Sequence, residues 1–228
     1  MPITLNGLAL DDMLVSVREQ HEEVGGSDAR RIELAGVILG ENSVEAIETR
    51  LDALLDAGSA ADYSAVLSLR PGRRLLVRRA AFRREIERTS LTGSFTLRLE
   101  ARNPYEESEE IHEIPWSIAE SPSSQAVTAG GTAEALPAIH LIAADTLIRP
   151  GISDGARCIE YDGAVAAGET LEFDAAAARV YFESEDVTPY TLGQFPRLVP
   201  GENVLTYTDG ADSSHQAEAL VTFRDRWW

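Results

Sequence analysis

The one arrangement in this sequence that resembles a catalytic motif is Gly151-Ile152-Ser153-Asp154-Gly155, a Gly-x-Ser-x-Gly pattern followed in chain order by Asp174 and His215. A serine nucleophile needs a base to take its proton and an acid to orient that base, and serine, acid, histidine is the order that α/β-hydrolases use. The same chemistry demands a strand before the motif and a helix after it, so that the hydroxyl is held out on a sharp turn. Here Pro150 precedes the motif and the strand-like Arg157-Cys158-Ile159-Glu160-Tyr161 follows it. The pattern reads as a turn between strands, and no catalytic residue is assigned.

Other chemistries fare no better. His21, His112, His140 and His215 are scattered, without the i, i+4 spacing of a metal-binding helix, and no metal ligand is assigned. Asp209 and Asp212 with neighbouring serines superficially resemble a calcium loop, but the glycine and the closing glutamate are misplaced, so a hairpin turn is expected. No glycine-rich phosphate loop occurs, and no cofactor is expected. Cys158 is the only cysteine, which excludes an internal disulfide and a thiolate cluster.

The formal net charge is −18, which argues against free DNA as a ligand because phosphates require a basic face. All twenty basic residues are arginine. Codon usage in a GC-rich genome and adaptation to high salt both account for that, the latter because screening shortens to about 3 Å at 1 M salt. No apolar run is long enough for a membrane span, and the N-terminus lacks a signal-peptide pattern, so synthesis in the cytoplasm is expected.

The elements are organised around residues 30–62. A strand, Arg30 to Leu39, and a polar turn at Gly40-Glu41-Asn42 lead into an amphipathic helix whose Val44, Ile47, Leu51, Leu54 and Leu55 form one stripe. Asn42 is expected to cap it with Glu45 closing a capping box, and Gly58 to end it at positive φ. Around it, Asn6-Gly7 reads as a turn, residues 22–29 as a polar loop, and Ser64–Leu69 with Arg73–Arg79 as a hairpin about Pro71-Gly72. Residues 81–88 read as strand, as does the strict alternation of Phe95, Leu97, Leu99 and Ala101. The small residues, glycines and prolines of 121–137 read as a linker, which predicts domains at 1–129 and 130–228. Short strands at regular spacing after it predict a β-sandwich.

Charge is segregated along the chain. Arg70, Arg73, Arg74, Arg78, Arg79, Arg83, Arg84 and Arg88 face only Glu85 and Glu87 in their stretch, a local balance of +6, and Glu106, Glu107, Glu109, Glu110 and Glu113 follow. These are either two solvated faces or the two halves of a head-to-tail contact between copies.

The strand-turn-helix stretch RRIELAGVILGENSVEAIETRLDALLDAG, then FTLRLEARNPYEES, AAGETLEFD, FPRLVPGENVLTYT and the closing ALVTFRDRWW, resembles the distal tail proteins of long-tailed (siphovirus-like) viruses over nearly the whole chain. The resemblance implies a mainly β protein: an N-terminal β-sandwich or sheet domain with one packed α-helix, then a C-terminal galectin-like β-sandwich. It implies a structural virion protein, not an enzyme: a hexameric ring at the tail tip, joining the tail tube protein to the tip or baseplate hub protein around a DNA channel, without specific DNA binding or a membrane. An acidic channel wall is expected to let DNA slide. The competing reading is a carbohydrate-binding module for host-surface adhesion, with Tyr181, Tyr190, Phe195 and Tyr207 as candidate stacking residues.

Overall fold

A computed structural model describes residues 2–24, 27–59 and 62–228 of the chain. The chain divides into two compact units, Met1–Glu109 with Trp228, and Glu110–Trp227. The division falls at 109/110 rather than at the expected 129/130, because strands occupy the intervening segment and pair within the second unit.

In the first unit Thr4–Leu5 (β1) and Leu8–Ala9 (β2) form a hairpin across Asn6-Gly7, whose φ values of 47° and 80° are the paired positive dihedrals of the turn type that suits strand twist. Leu14–Val24 (β3) and Ser27–Ile38 (β4) pair down to Val24 and Ser27. Most of the expected 22–29 loop is therefore strand, while Gly25-Gly26 lies outside the described residues. Val44–Ala57 (α1), Ala65–Ser68 (β5), Arg73–Glu87 (β6), Thr92–Ala101 (β7) and Glu106–Ser108 (β8) complete the unit. The antiparallel sheet runs β2-β1-β5-β6-β7-β4-β3, with β8 on the start of β6.

Helix α1 lies on one face of this sheet. Its buried Ile47, Leu51 and Leu54 join Ile32, Leu34 and Ile38 of β4, Leu97 and Leu99 of β7, and Val77 of β6 in one core. The close approach depends on Gly93: a Cβ there would stand 2.5 Å from the Ile47 Cγ2. Two details depart from expectation. Ser43, not Asn42, caps the helix by accepting from the Ala46 N–H at 3.1 Å, which shifts Glu45 off the position a capping box needs. Gly58 ends the helix at φ −90°, its N–H reaching the Leu54 carbonyl, so no left-handed turn is used.

In the second unit, His112–Ile118 (β9), Ser123–Ala129 (β10), Ala138–Ala143 (β11), Leu147–Ile148 (β12), Gly151–Ser153 (β13), Cys158–Tyr161 (β14), Ala164–Val165 (β15), Thr170–Asp174 (β16), Arg179–Phe182 (β17), Glu185–Asp186 (β18), Thr191–Gly193 (β19), Gly201–Thr208 (β20) and Ala217–Phe223 (β21) follow in order. One sheet runs β10-β20-β13-β14-β19 and the other β18-β17-β16-β11-β21-β9. Val127, Ile152, Ile159 and Leu205 of the first share a single core with Trp116, Leu141, Leu171, Phe173 and Val221 of the second, which makes the unit a β-sandwich. Pro115 is tolerated in β9 because β9 is an edge strand.

Gly93→Val is expected to destabilise the first unit by about 1–3 kcal/mol by forcing α1 off the sheet. Chemical denaturation of the full chain should show the first unit's transition move to lower denaturant.

Candidate assembly surface

With α1 on one face, the outward residues of β3, β4, β7 and β6 build the other. Adjacent strands place Gln20, Arg31, Glu100 and Arg78 in one cross-sheet row and Arg18, Glu33, Arg98 and Ala81 in the next. Arg98 Nε donates to Glu33 Oε2 at 2.8 Å and Arg78 Nη2 to Glu100 Oε2 at 2.7 Å, while Arg18 and Arg31 stand 4.0 and 3.9 Å from the same two carboxylates. Each glutamate therefore serves two guanidiniums. Exposed pairs of this kind contribute little stability, but they fix the pattern of charge. Beside them a groove of about 600 Å³ opens where the β6 register slips between Arg79 and Ala81.

The sheet's edges are the second feature. β3 ends it, and β6 beyond Val77 pairs only with β7, so two long strand edges are unpaired among the described residues. With three antiparallel steps between them, β3 and β6 run in opposite directions. Unpaired N–H and C=O rows are templates for another chain.

Within the first unit, β3, β4, the turn into β6 and β8 share a buried ionic network that sequence reasoning did not identify. Arg30 is only 1% exposed and Glu106 2%. Arg30 Nη2 donates to Glu106 Oε1 at 3.1 Å and to Glu19, and Nη1 to the Pro104 carbonyl at 3.0 Å. Arg70 donates to Glu106 and, at 3.3 Å, to Glu19, and Arg73 reaches Glu106 Oε2 at 3.4 Å. Arg74 pairs with Glu107 at 3.3 Å. The arginine run thus meets the start of the acidic run inside one chain, which takes Glu106 and Glu107 out of the expected contact between copies. Arg84 pairs with Asp52 at 2.5 Å, while Arg83 is exposed with no partner among the described residues.

The serine motif is not wholly the expected turn: Gly151–Ser153 is strand β13, paired with β14 and β20, and only Asp154-Gly155 turn toward β14. Ser153 Oγ donates to the Arg157 carbonyl at 2.9 Å and accepts from the Gly155 N–H at 3.0 Å. Asp174 accepts from the Ala176 and Ala177 N–H groups, and His215 Nδ1 lies 2.6 Å from Asp209 Oδ1, so the three candidate triad residues are each tied elsewhere. His112 bonds Asp225 at 3.1 Å, His21 is exposed on β3, and His140 sits on the outer face of β11. No metal-binding cluster occurs among the described residues.

Residues 130–227 match the family described as siphovirus-type tail component, C-terminal domain. The chain also resembles the crystal structure titled SPP1 Dit (gp 19.1) protein, a paradigm of hub adsorption apparatus in Gram-positive infecting phages, with a TM-score of 0.66 and 14% identity over 100% of this chain and 99% of that one. No curated protein matches the sequence significantly. The second unit thus matches a tail-component family, and the chain as a whole shares its fold with that hub protein.

The family match begins at Gly130, inside the second unit and after β9 and β10. That unit is closed by Asp209, whose carboxylate accepts from Tyr207 OH at 2.8 Å and from Ser213, and bonds His215. Burial pushes the Asp209 carboxyl up, but hydrogen bonds from Ser213, Tyr207, Ser121 and His215 outweigh it and hold it below the ordinary carboxylate range. The same carboxylate and burial push the Tyr207 hydroxyl up, desolvation being the larger cause.

Two outcomes follow from these networks. Glu106→Leu takes one of two carboxylates from the buried Arg30 guanidinium, leaving Glu19, and should cost about 1.5–3 kcal/mol, measured by denaturant unfolding. For Asp209, a depressed folded pKa means stability that is complete above about pH 4 and lost as pH falls through the lower folded value. An Asp209→Asn variant should melt lower at pH 7 and lose less on acidification than the parent, followed by thermal scans from pH 7 to 2.

Proposed function

We propose that this tail component forms a hexameric ring through its first unit, at the tip of the tail tube, joining the tube to the tip or baseplate and surrounding the DNA channel. The observation that carries the reading is the pair of free strand edges of opposite direction on one four-strand sheet segment. If β3 of one copy pairs antiparallel with β6 of the next, the contact is head-to-tail, the sheet continues from copy to copy, and rotation closes it into a barrel without edges. Six copies come from the resemblance to the family.

Helix α1 occupies one face of the sheet, so an open channel leaves the helix-free face as its wall. That wall carries Arg18, Arg31 and Arg98 against Glu33 and Glu100, with Arg83, unpartnered among the described residues, beside Thr96, and is largely ion-paired rather than acidic. Guanidiniums already held by carboxylates offer a passing phosphate less than free ones do, which suits transit without retention. The family match of the second unit supports a tail location, and a β-sandwich without an assigned catalytic set suits an adaptor.

Within an antiparallel strand alternate residues turn their N–H outward, so one of Gln20 and His21 faces the free edge of β3. Of the single variants Gln20→Pro and His21→Pro, the one that removes an outward N–H should keep the parent's melting temperature yet form no six-fold rings in negative-stain electron microscopy. Rings from both folded variants, or none from the parent at high concentration, would refute the edge pairing.

A further inference from the structure

The outer face of the six-strand sheet carries a second surface. On β17, β16 and β11 the register sets Tyr181, Glu172 and His140 side by side across three adjacent strands. Strand spacing puts the outer two about 10 Å apart. They line a shallow depression of about 270 Å³ whose rim is completed by Thr170 and Ser184.

The polar residues around this row satisfy one another. Arg179 pairs with Asp186 at 3.1 Å, Ser117 Oγ donates to Glu218 at 2.9 Å, and Thr170 donates to Glu183 through both its N–H and its hydroxyl. Tyr181, Glu172 and His140 have no hydrogen-bond partner among the described residues, although each is half-buried in the depression. Three neighbouring polar groups in a concavity, spent on no protein partner, are available to hydrogen-bond a ligand in place of the water that otherwise meets them.

We propose that this depression binds a neutral saccharide. A tyrosine ring offers a flat apolar face with a hydroxyl at its rim. The central carboxylate can accept from two neighbouring hydroxyls, and the imidazole can donate or accept from the far side. An anionic ligand would meet Glu172 and Asp186, and a metal would lack a third ligand. The other aromatic candidates are differently placed: Tyr207 is core, Phe195 packs against the core, and Tyr190 is 66% exposed away from the depression. The proposal is independent of ring formation.

The test is saturation-transfer NMR on the full chain with glucose, galactose and N-acetylglucosamine. At least one sugar should show transfer, with Tyr181→Ala and Glu172→Gln each weakening it about tenfold or abolishing it. Tyr190→Ala should leave it unchanged, and melting temperatures separate loss of binding from loss of fold. No transfer from any of the three sugars to the folded parent, or transfer that survives Tyr181→Ala but not Tyr190→Ala, would overturn the assignment.

Discussion

The first unit depends on how closely one helix can approach one sheet. Ile47 sits where a side chain at position 93 would be, so the missing Cβ of Gly93 sets the depth at which Leu51 and Leu54 reach the β4 and β7 side chains. Burying those three helix side chains contributes roughly 1.5–3 kcal/mol each relative to exposure. The same seating decides what remains outside. One face of the sheet is spent on the core, the opposite face can carry charge without penalty, and β3 and the part of β6 beyond Val77 are left as edges because no further strand among the described residues pairs with them.

The Arg30–Glu106 network answers a different need. A buried ion pair rarely adds stability over an apolar replacement of equal volume, because desolvation offsets attraction. What it adds is specificity of placement. Glu106 accepts from Arg30 on β4 and from Arg70 and Arg73 at the turn into β6, and Arg30 also grips Glu19 on β3 and the Pro104 carbonyl. Four distant stretches of chain are thereby held in one register. Arginine suits the role better than lysine would, since a planar fork can serve two carboxylates and a carbonyl at once.

Much of this was legible in residue order. Asn6-Gly7, Pro71-Gly72, the 3.6 stripe of α1 and the alternation through β7 each announced their element, because in each case burial and local propensity agree. The segment 121–137 misled because its buried positions are filled by Val127, Ala129, Ala133, Ala135 and Pro137: small residues give composition the look of a linker while period two persists. Arg30 was hidden in the opposite way. Parity with Ile32 and Leu34 places it on the buried face of β4, but a charge there argues against burial until a partner 76 residues away is known. The Tyr181–Glu172–His140 row could not be read at all, since only cross-strand register brings the three together.

Charge follows the same division of labour. The first unit holds fourteen arginines against nineteen acidic residues, a balance of −5, and the second holds six against nineteen, a balance of −13. Repulsion between copies scales with the charge they bring to the contact and is screened over about 8–10 Å at ordinary salt. A unit whose carboxylates are largely answered by its own guanidiniums can approach another copy at little electrostatic cost. The surplus negative charge sits on the sandwich, where it keeps the protein soluble and discourages polyanions. The arginine run is therefore better understood as what neutralises the first unit from within than as a basic patch awaiting an acidic partner.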